Sequence, residues 1–170
     1  MKFKKECKVI YKEKSLTKNN ILNNDDELKK WLLEIKEEGV IVDLTFVDID
    51  IAGSNLIDFY QNGYSGNTWK KSWVVFAKWG GADPIIYDSF TKEILVAIHG
   101  MGVWEASPIS PNFDKFDLIL STWCRISNQY NSILDDDCEL KTDFINELKE
   151  ELEKNIKTKY IDAFLNFITF

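Results

Sequence analysis

The stretch Trp73-Val-Val-Phe-Ala-Lys-Trp79-Gly-Gly-Ala-Asp83-Pro84-Ile-Ile-Tyr87-Asp88, continued by Glu93-Ile-Leu-Val-Ala-Ile-His99-Gly-Met-Gly-Val-Trp104, decides the fold. It reads as short strands separated by tight turns. Trp73 to Trp79 is a run of strand formers, and strict alternation sends Trp73, Val75, Ala77 and Trp79 to one side and Val74 and Phe76 to the other. Gly80 and Gly81 end the run, because only glycine enters a φ > 0 turn without a Cβ penalty. Pro84 opens a strand to Tyr87, where its missing N–H matters least. Residues 88 to 92 turn the chain into a third strand, Glu93 to His99, and Gly100-Met101-Gly102 turns it again into Val103-Trp104-Glu105. Both faces of the first and third strands are apolar, which predicts a sheet covered at least partly on each side.

Outward from this centre the chain alternates helix and strand signals. Val9-Ile10-Tyr11, set among lysines, suits a short edge strand. Asn24 is an N-cap with Glu27 completing a capping box, and Leu28, Trp31, Leu32 and Ile35 form one apolar helix face stopped by Gly39. Val40 to Ile51 is strand, but its parity slips, predicting a bulge or break near Phe46-Val47. Asn55 starts a short helix through Leu56, Phe59 and Tyr60, and residues 61 to 68 form a loop. Ser110 as N-cap with Pro111 behind it opens a helix that buries Phe113, Phe116, Leu120, Trp123 and Cys124. Residues 126 to 137 form a polar connection. From Glu139 a helical stripe runs through Leu140, Phe144, Leu148, Leu152 and Ile156 to Ile168, as one long helix or two with a kink near Lys157. Glu150 with Lys154 and Glu153 with Lys157 stand at supporting i,i+4 spacing. The expected fold is α+β: a single domain over residues 1–170, with a mostly antiparallel twisted sheet of four to six strands flanked by N-terminal and C-terminal helices.

Size and composition narrow the function. The 170 residues suffice for a core, and 45% hydrophobic with 14% aromatic residues excludes a disordered chain. The net charge of −7, from 28 acidic and 21 basic residues, disfavours nucleic acid and anionic membrane and favours a basic partner. No apolar run approaches a membrane span, and the charged start, Met1-Lys-Phe-Lys-Lys, is unlike a secretion signal. Cys7, Cys124 and Cys138 are odd in number and far apart, with no C-x-x-C spacing. The expectation is a cytoplasmic protein with reduced thiols, without disulfide framework or zinc knuckle.

Catalytic signatures fail one by one. Gly63-Tyr-Ser-Gly66 is not a nucleophile elbow, Gly100-Met-Gly102 lacks the third glycine of a dinucleotide loop, and Gly80-Gly81 is not followed by Lys-Ser/Thr. The cysteines have no basic pattern that would activate a thiol. His99 is the one histidine. As a general base it would need an orienting carboxylate, for which Asp83, Asp88 and Glu105 are near in sequence; otherwise it ends a strand and bonds its own turn. Those same residues have no diagnostic spacing for a metal, so neither a metal nor a cofactor is expected.

Trp79-Gly-Gly-Ala-Asp83-Pro84-Ile-Ile-Tyr-Asp88, followed by His99-Gly100, Trp104 and a Ser-Pro-rich run into a Phe-led helix, resembles the SUKH superfamily, named for yeast cell-wall regulators and well represented among bacterial immunity proteins. The resemblance covers roughly Trp73 to Ile126, and the early helix departs from it in lacking a Leu-Pro opening. It implies a non-enzymatic protein that neutralises a cognate protein toxin by direct contact, a basic nuclease being the partner that fits the charge. Gly80, Gly81, Pro84, His99 and Gly100 would then shape a groove, with Trp79, Asp83, Asp88 and Trp104 around it. The residues themselves add Trp69 as an aromatic anchor, and Asp48, Asp50, Asp135, Asp136 and Asp137 as acidic ground that speeds encounter with a basic partner. The expected state is a monomer or weak homodimer. Two other readings stand beside this one: a regulatory scaffold like the yeast relatives, and a small hydrolase or ligand-binding protein built on His99 and its neighbouring carboxylates.

Overall fold

The structure is a computed structural model that describes residues 2–11, 27–28, 30–31, 40–44, 47–51, 68–80 and 82–169. Seven described strands form one sheet in the order of the chain: β1 (Lys8–Tyr11), β2 (Val40–Asp43), β3 (Asp48–Ile51), β4 (Trp73–Trp79), β5 (Asp83–Asp88), β6 (Ile94–Ala97) and β7 (Ala106–Ser110). Every neighbouring pair is antiparallel. The helices lie towards the two ends of the chain: α1 (Phe3–Glu6), then α2 (Phe113–Ser127), α3 (Thr142–Glu153) and α4 (Thr158–Ile168), with residues 27, 28, 30 and 31 also helical. The α+β architecture is the one expected, with seven strands where four to six were anticipated.

β1 is the edge strand its lysines suggest, and Lys8 pairs with Asp43 across the ladder at 3.1 Å. The parity slip between Val40 and Ile51 is a hairpin. β2 and β3 pair antiparallel, and the Leu44 N–H donates to the Val47 carbonyl at 3.0 Å. The Asn24 cap, the Gly39 stop, the helix at residues 55–60, Phe46 and Gly81 lie outside the described residues, as do the side chains of Asp48 and Asp50.

β4 spans the residues its composition marks, but its alternation breaks. The register with β5 shifts between Val75 and Ala77, leaving Phe76 as an extra residue. A bulge of one residue reverses the facing of everything beyond it. Trp73 and Val75 therefore face one side, and Ala77 and Trp79 the other, so the two tryptophans do not share a face as alternation predicts. The turn after Trp79 uses Gly80 at φ +57, where an added Cβ would also lie 3.3 Å from Val47 Cγ2. Gly80→Ala should lower stability by about 1–2 kcal/mol in urea titrations.

The last predicted strand is displaced. Val103, Trp104 and Glu105 belong to a loop, and pairing resumes at Ala106. Pro108 sits opposite Leu95 within β7, which is tolerated because β7 is the sheet's outer strand. Ser110 ends that strand, so it does not cap the helix. The cap is Asn112, whose side chain accepts from the Lys115 N–H at 2.9 Å. Leu134 and Leu140 form an isolated bridge, so α3 begins at Thr142 and not at Glu139. The C-terminal stripe divides into α3 and α4, with Lys157 as the N-cap of the second. Among the described ion pairs, Lys154 binds Glu151 one turn back, and Lys149 reaches Asp162 across the two helices.

The main core lies on the face where these helices pack. Leu28, Trp31, Tyr87, Phe116, Trp123, Phe144 and Phe164 are buried there with the inward residues of β2 to β6. Trp31 stacks on Phe113 at 5.0 Å, and Trp123 meets Phe144 edge-on at 4.9 Å. Offset and edge-on rings add to the burial of their area.

The cysteines overturn an expectation. Cys7 and Cys124 are joined in a disulfide, with their Cα atoms 5.1 Å apart, while Cys138 is free and exposed. Their separation of 117 residues hid the pairing, since no spacing rule connects the end of a short N-terminal helix with a face of α2.

Candidate functional site

The second face of the sheet is covered differently. Alternation along β5 and β6 sends Ile86, Leu95 and Ala97 away from the helices, where they meet Trp73, Val75 and Trp104 in a smaller apolar cluster. Trp69 packs against it, edge-on to Trp73 at 5.4 Å and to Trp104 at 5.6 Å. The lid on this cluster is the β6–β7 loop, residues 98 to 105, which delivers Trp104 back onto the sheet.

That loop is held at both ends. Asp83, the first residue of β5, accepts from the His99 N–H at 2.8 Å, and the His99 ring Nδ1 lies 2.7 Å from the same oxygen, placed to donate as Nδ1–H. At the far end the Trp104 N–H donates to Thr68 Oγ1 at 2.9 Å. Gly100 at φ +81 and Gly102 at φ +76 carry the chain through the left-handed region between these anchors. The apex projects outward, and Met101 and Val103 are 62% and 47% exposed. The chain thus sets two apolar side chains in solvent on a loop whose two ends are pinned.

The structure brings some of the expected site residues here and sends others elsewhere. Asp83, His99, Gly100, Trp104 and Trp69 converge on this loop. Trp104 and Trp79 are buried, at 9% and 7% exposure, and so serve as interior supports and not as surface anchors. Pro84 is buried in β5. Asp88 lies at the opposite end of β5, nearly buried at 5% exposure, and organises the β5–β6 turn. It accepts from the Phe90 N–H at 2.9 Å, the Thr91 N–H at 3.4 Å and the Trp73 indole at 3.2 Å. Burial alone would raise its pKa. The hydrogen bonds from Phe90, Ser72, Thr91 and Trp73 outweigh that and hold the carboxyl below its ordinary value.

Asp135, Asp136 and Asp137 are exposed. Asp135 also closes its own turn by accepting from the N–H groups of Asp137 and Glu139 at 2.9 and 3.0 Å. The acidic block is therefore a fixed turn, with the other two carboxylates in solvent. Met101, Val103 and Phe90, the last at 86% exposure, were not among the residues marked from sequence. Single apolar residues between glycines carry no period, and only their exposure identifies them.

The chemistry open to the site is limited by its shape. Asp83 orients His99 as a carboxylate orients a general base, yet its oxygen also takes the backbone N–H of His99, which makes the pair a fastening for the loop. Among the described residues, no group of three or more His, Cys, Asp or Glu is placed to hold a metal ion. No described helix is long and apolar enough to cross a membrane. No family model, no curated protein and no solved structure matches the chain.

Proposed function

We propose that this protein is a non-enzymatic binding protein of the immunity kind, which grips a cognate protein toxin with the apex of the β6–β7 loop. The observation that carries the reading is the exposure of Met101 and Val103 on a loop fastened by Asp83–His99 at one end and Thr68–Trp104 at the other. Apolar groups that are already ordered bind with less loss of conformational freedom than those of a slack loop. They serve as central anchors when a partner excludes water around them. The net charge of −7 favours a basic partner, such as a nuclease, whose approach it accelerates. The SUKH resemblance of the Trp79–Asp88 and His99–Trp104 motifs supports the same class, acting in the cytoplasm of the producing cell.

The test begins with the neighbouring gene: a large secreted toxin encoded there supplies the partner, and its absence counts against the reading. Met101→Asp combined with Val103→Asp should weaken the complex by roughly a hundredfold or more, with circular dichroism unchanged, and should abolish protection of cells. Binding and protection at the original level would refute the loop as the docking point. His99→Ala in a folded variant separates the readings further. Retained neutralisation agrees with a binder, whereas its loss with toxin affinity intact would favour the hydrolase.

A further inference from the structure

The N-terminal segment is fastened to α2 at three points. Cys7 is bonded to Cys124, the Lys2 N–H donates to Asp117 Oδ2 at 2.6 Å, and Asn128 Nδ2 donates to the Glu6 carbonyl at 3.2 Å. Beyond these points, α1 packs on α2 and β1 is laddered to β2. α1 is four residues long, well short of a helix that persists alone, and β1 pairs with β2 only, at the rim of the sheet. The described aromatic residues of the main core, by contrast, are Trp31 and residues of β4, β5 and the later helices, although Cys7 itself is part of that core.

Both cysteines are buried, at 8% and 3% exposure, so a reductant reaches the bond when the short N-terminal segment opens locally. A surface depression of about 230 Å³ nearby in the chain is lined by Lys5 and Glu6, which precede Cys7, by Ser121, Thr122 and Arg125, which stand around Cys124, and by Glu151 of α3. Lys5 and Arg125 put positive charge in this depression, and Glu151 offsets Arg125 through an ion pair at 3.1 Å.

We propose that Cys7–Cys124 is a redox clasp, opened by dithiol reductants, that frees α1 and β1 from α2 while the rest of the sheet and its helices stay folded. A thiolate of the dithiol attacks one cystine sulfur, forming a mixed disulfide and expelling the other sulfur as a thiolate. The second thiol of the reductant then closes on its partner and releases the remaining cysteine. Two electrons and two protons pass to Cys7 and Cys124, and the reductant leaves as a disulfide. The clasp is shut in an oxidising compartment and open in a reducing one.

The test is hydrogen exchange on the full chain carrying Cys138→Ser, air-oxidised and then treated with dithiothreitol. After reduction the amides of Phe3 to Tyr11 should exchange roughly tenfold faster or more, while those of β4 to β6 and the near-ultraviolet circular dichroism stay unchanged. The Cys7→Ser, Cys124→Ser double variant in the same background should show the fast rate with and without reductant. Two alkylatable thiols in the denatured, air-oxidised chain would overturn the proposal, as would equal exchange in both states. Loss of the near-ultraviolet signal on reduction would also overturn it, by showing that the bond holds the whole fold and not its edge.

Discussion

Trp123→Ala should destabilise the protein by about 3–5 kcal/mol, the cost of deleting a large, wholly enclosed aromatic. Trp123 has no exposed surface, meets Trp79, Phe144 and Phe164 edge-on, and donates its indole N–H to the Leu44 carbonyl at 3.0 Å. It joins α2 to β4, α3, α4 and the β2–β3 turn in one side chain. Truncation leaves a cavity that four elements would have to collapse together to fill. Thermal unfolding should fall by on the order of 10 °C for a chain of this size. Trp123→Phe keeps most of the ring and loses the hydrogen bond, so it should cost less, about 1–3 kcal/mol. Equal losses for the two variants would mean that the indole N–H, and not the packing, carries the stabilisation.

Asp88→Ala should cost about 2–4 kcal/mol, because it strips the acceptor from two turn N–H groups and from the Trp73 indole in a nearly buried place. The same carboxylate makes stability depend on acidity. Its folded pKa lies below the ordinary 3.8, so the ionised form is favoured by folding. The resulting stabilisation is complete above that ordinary value and is lost as the pH falls through the depressed folded one. Urea denaturation from neutral pH into the acid region should therefore show Asp88→Asn and the parent converging as acidity increases. A stability gap that stays constant down to the parent's acid unfolding would show that the charge is not the source.

The strand boundaries of β4 were legible because Trp73 to Trp79 is an unbroken set of strand formers closed by glycine. Its facing was not, because nearly every position in it is apolar and a bulge at Phe76 leaves no polar residue on the wrong side. The Ser-Pro-rich run reads only as the approach to a helix, yet on the outermost strand the missing N–H of Pro108 is tolerated, and β7 forms around it. The proximity of Asp83 and His99 was visible in the order of the chain; their shared oxygen was not. Trp104, expected at the rim of a groove, is the plug beneath the loop on which Met101 and Val103 stand out. Cys7 and Cys124 meet only after α2 packs, a tertiary event with no local sequence trace.

The strand order, β1 through β7 with each beside the next, has a bearing on synthesis. From β2 onward every strand emerges from the ribosome after the neighbour it needs, so the ladder can zip in the order of translation. Cys7 is the exception, waiting 117 residues for its partner. At typical elongation rates that is a delay on the order of ten seconds. For that interval its thiol has no partner cysteine on the chain, and the cystine can close only once α2 has been made, with α3 and α4 still to follow.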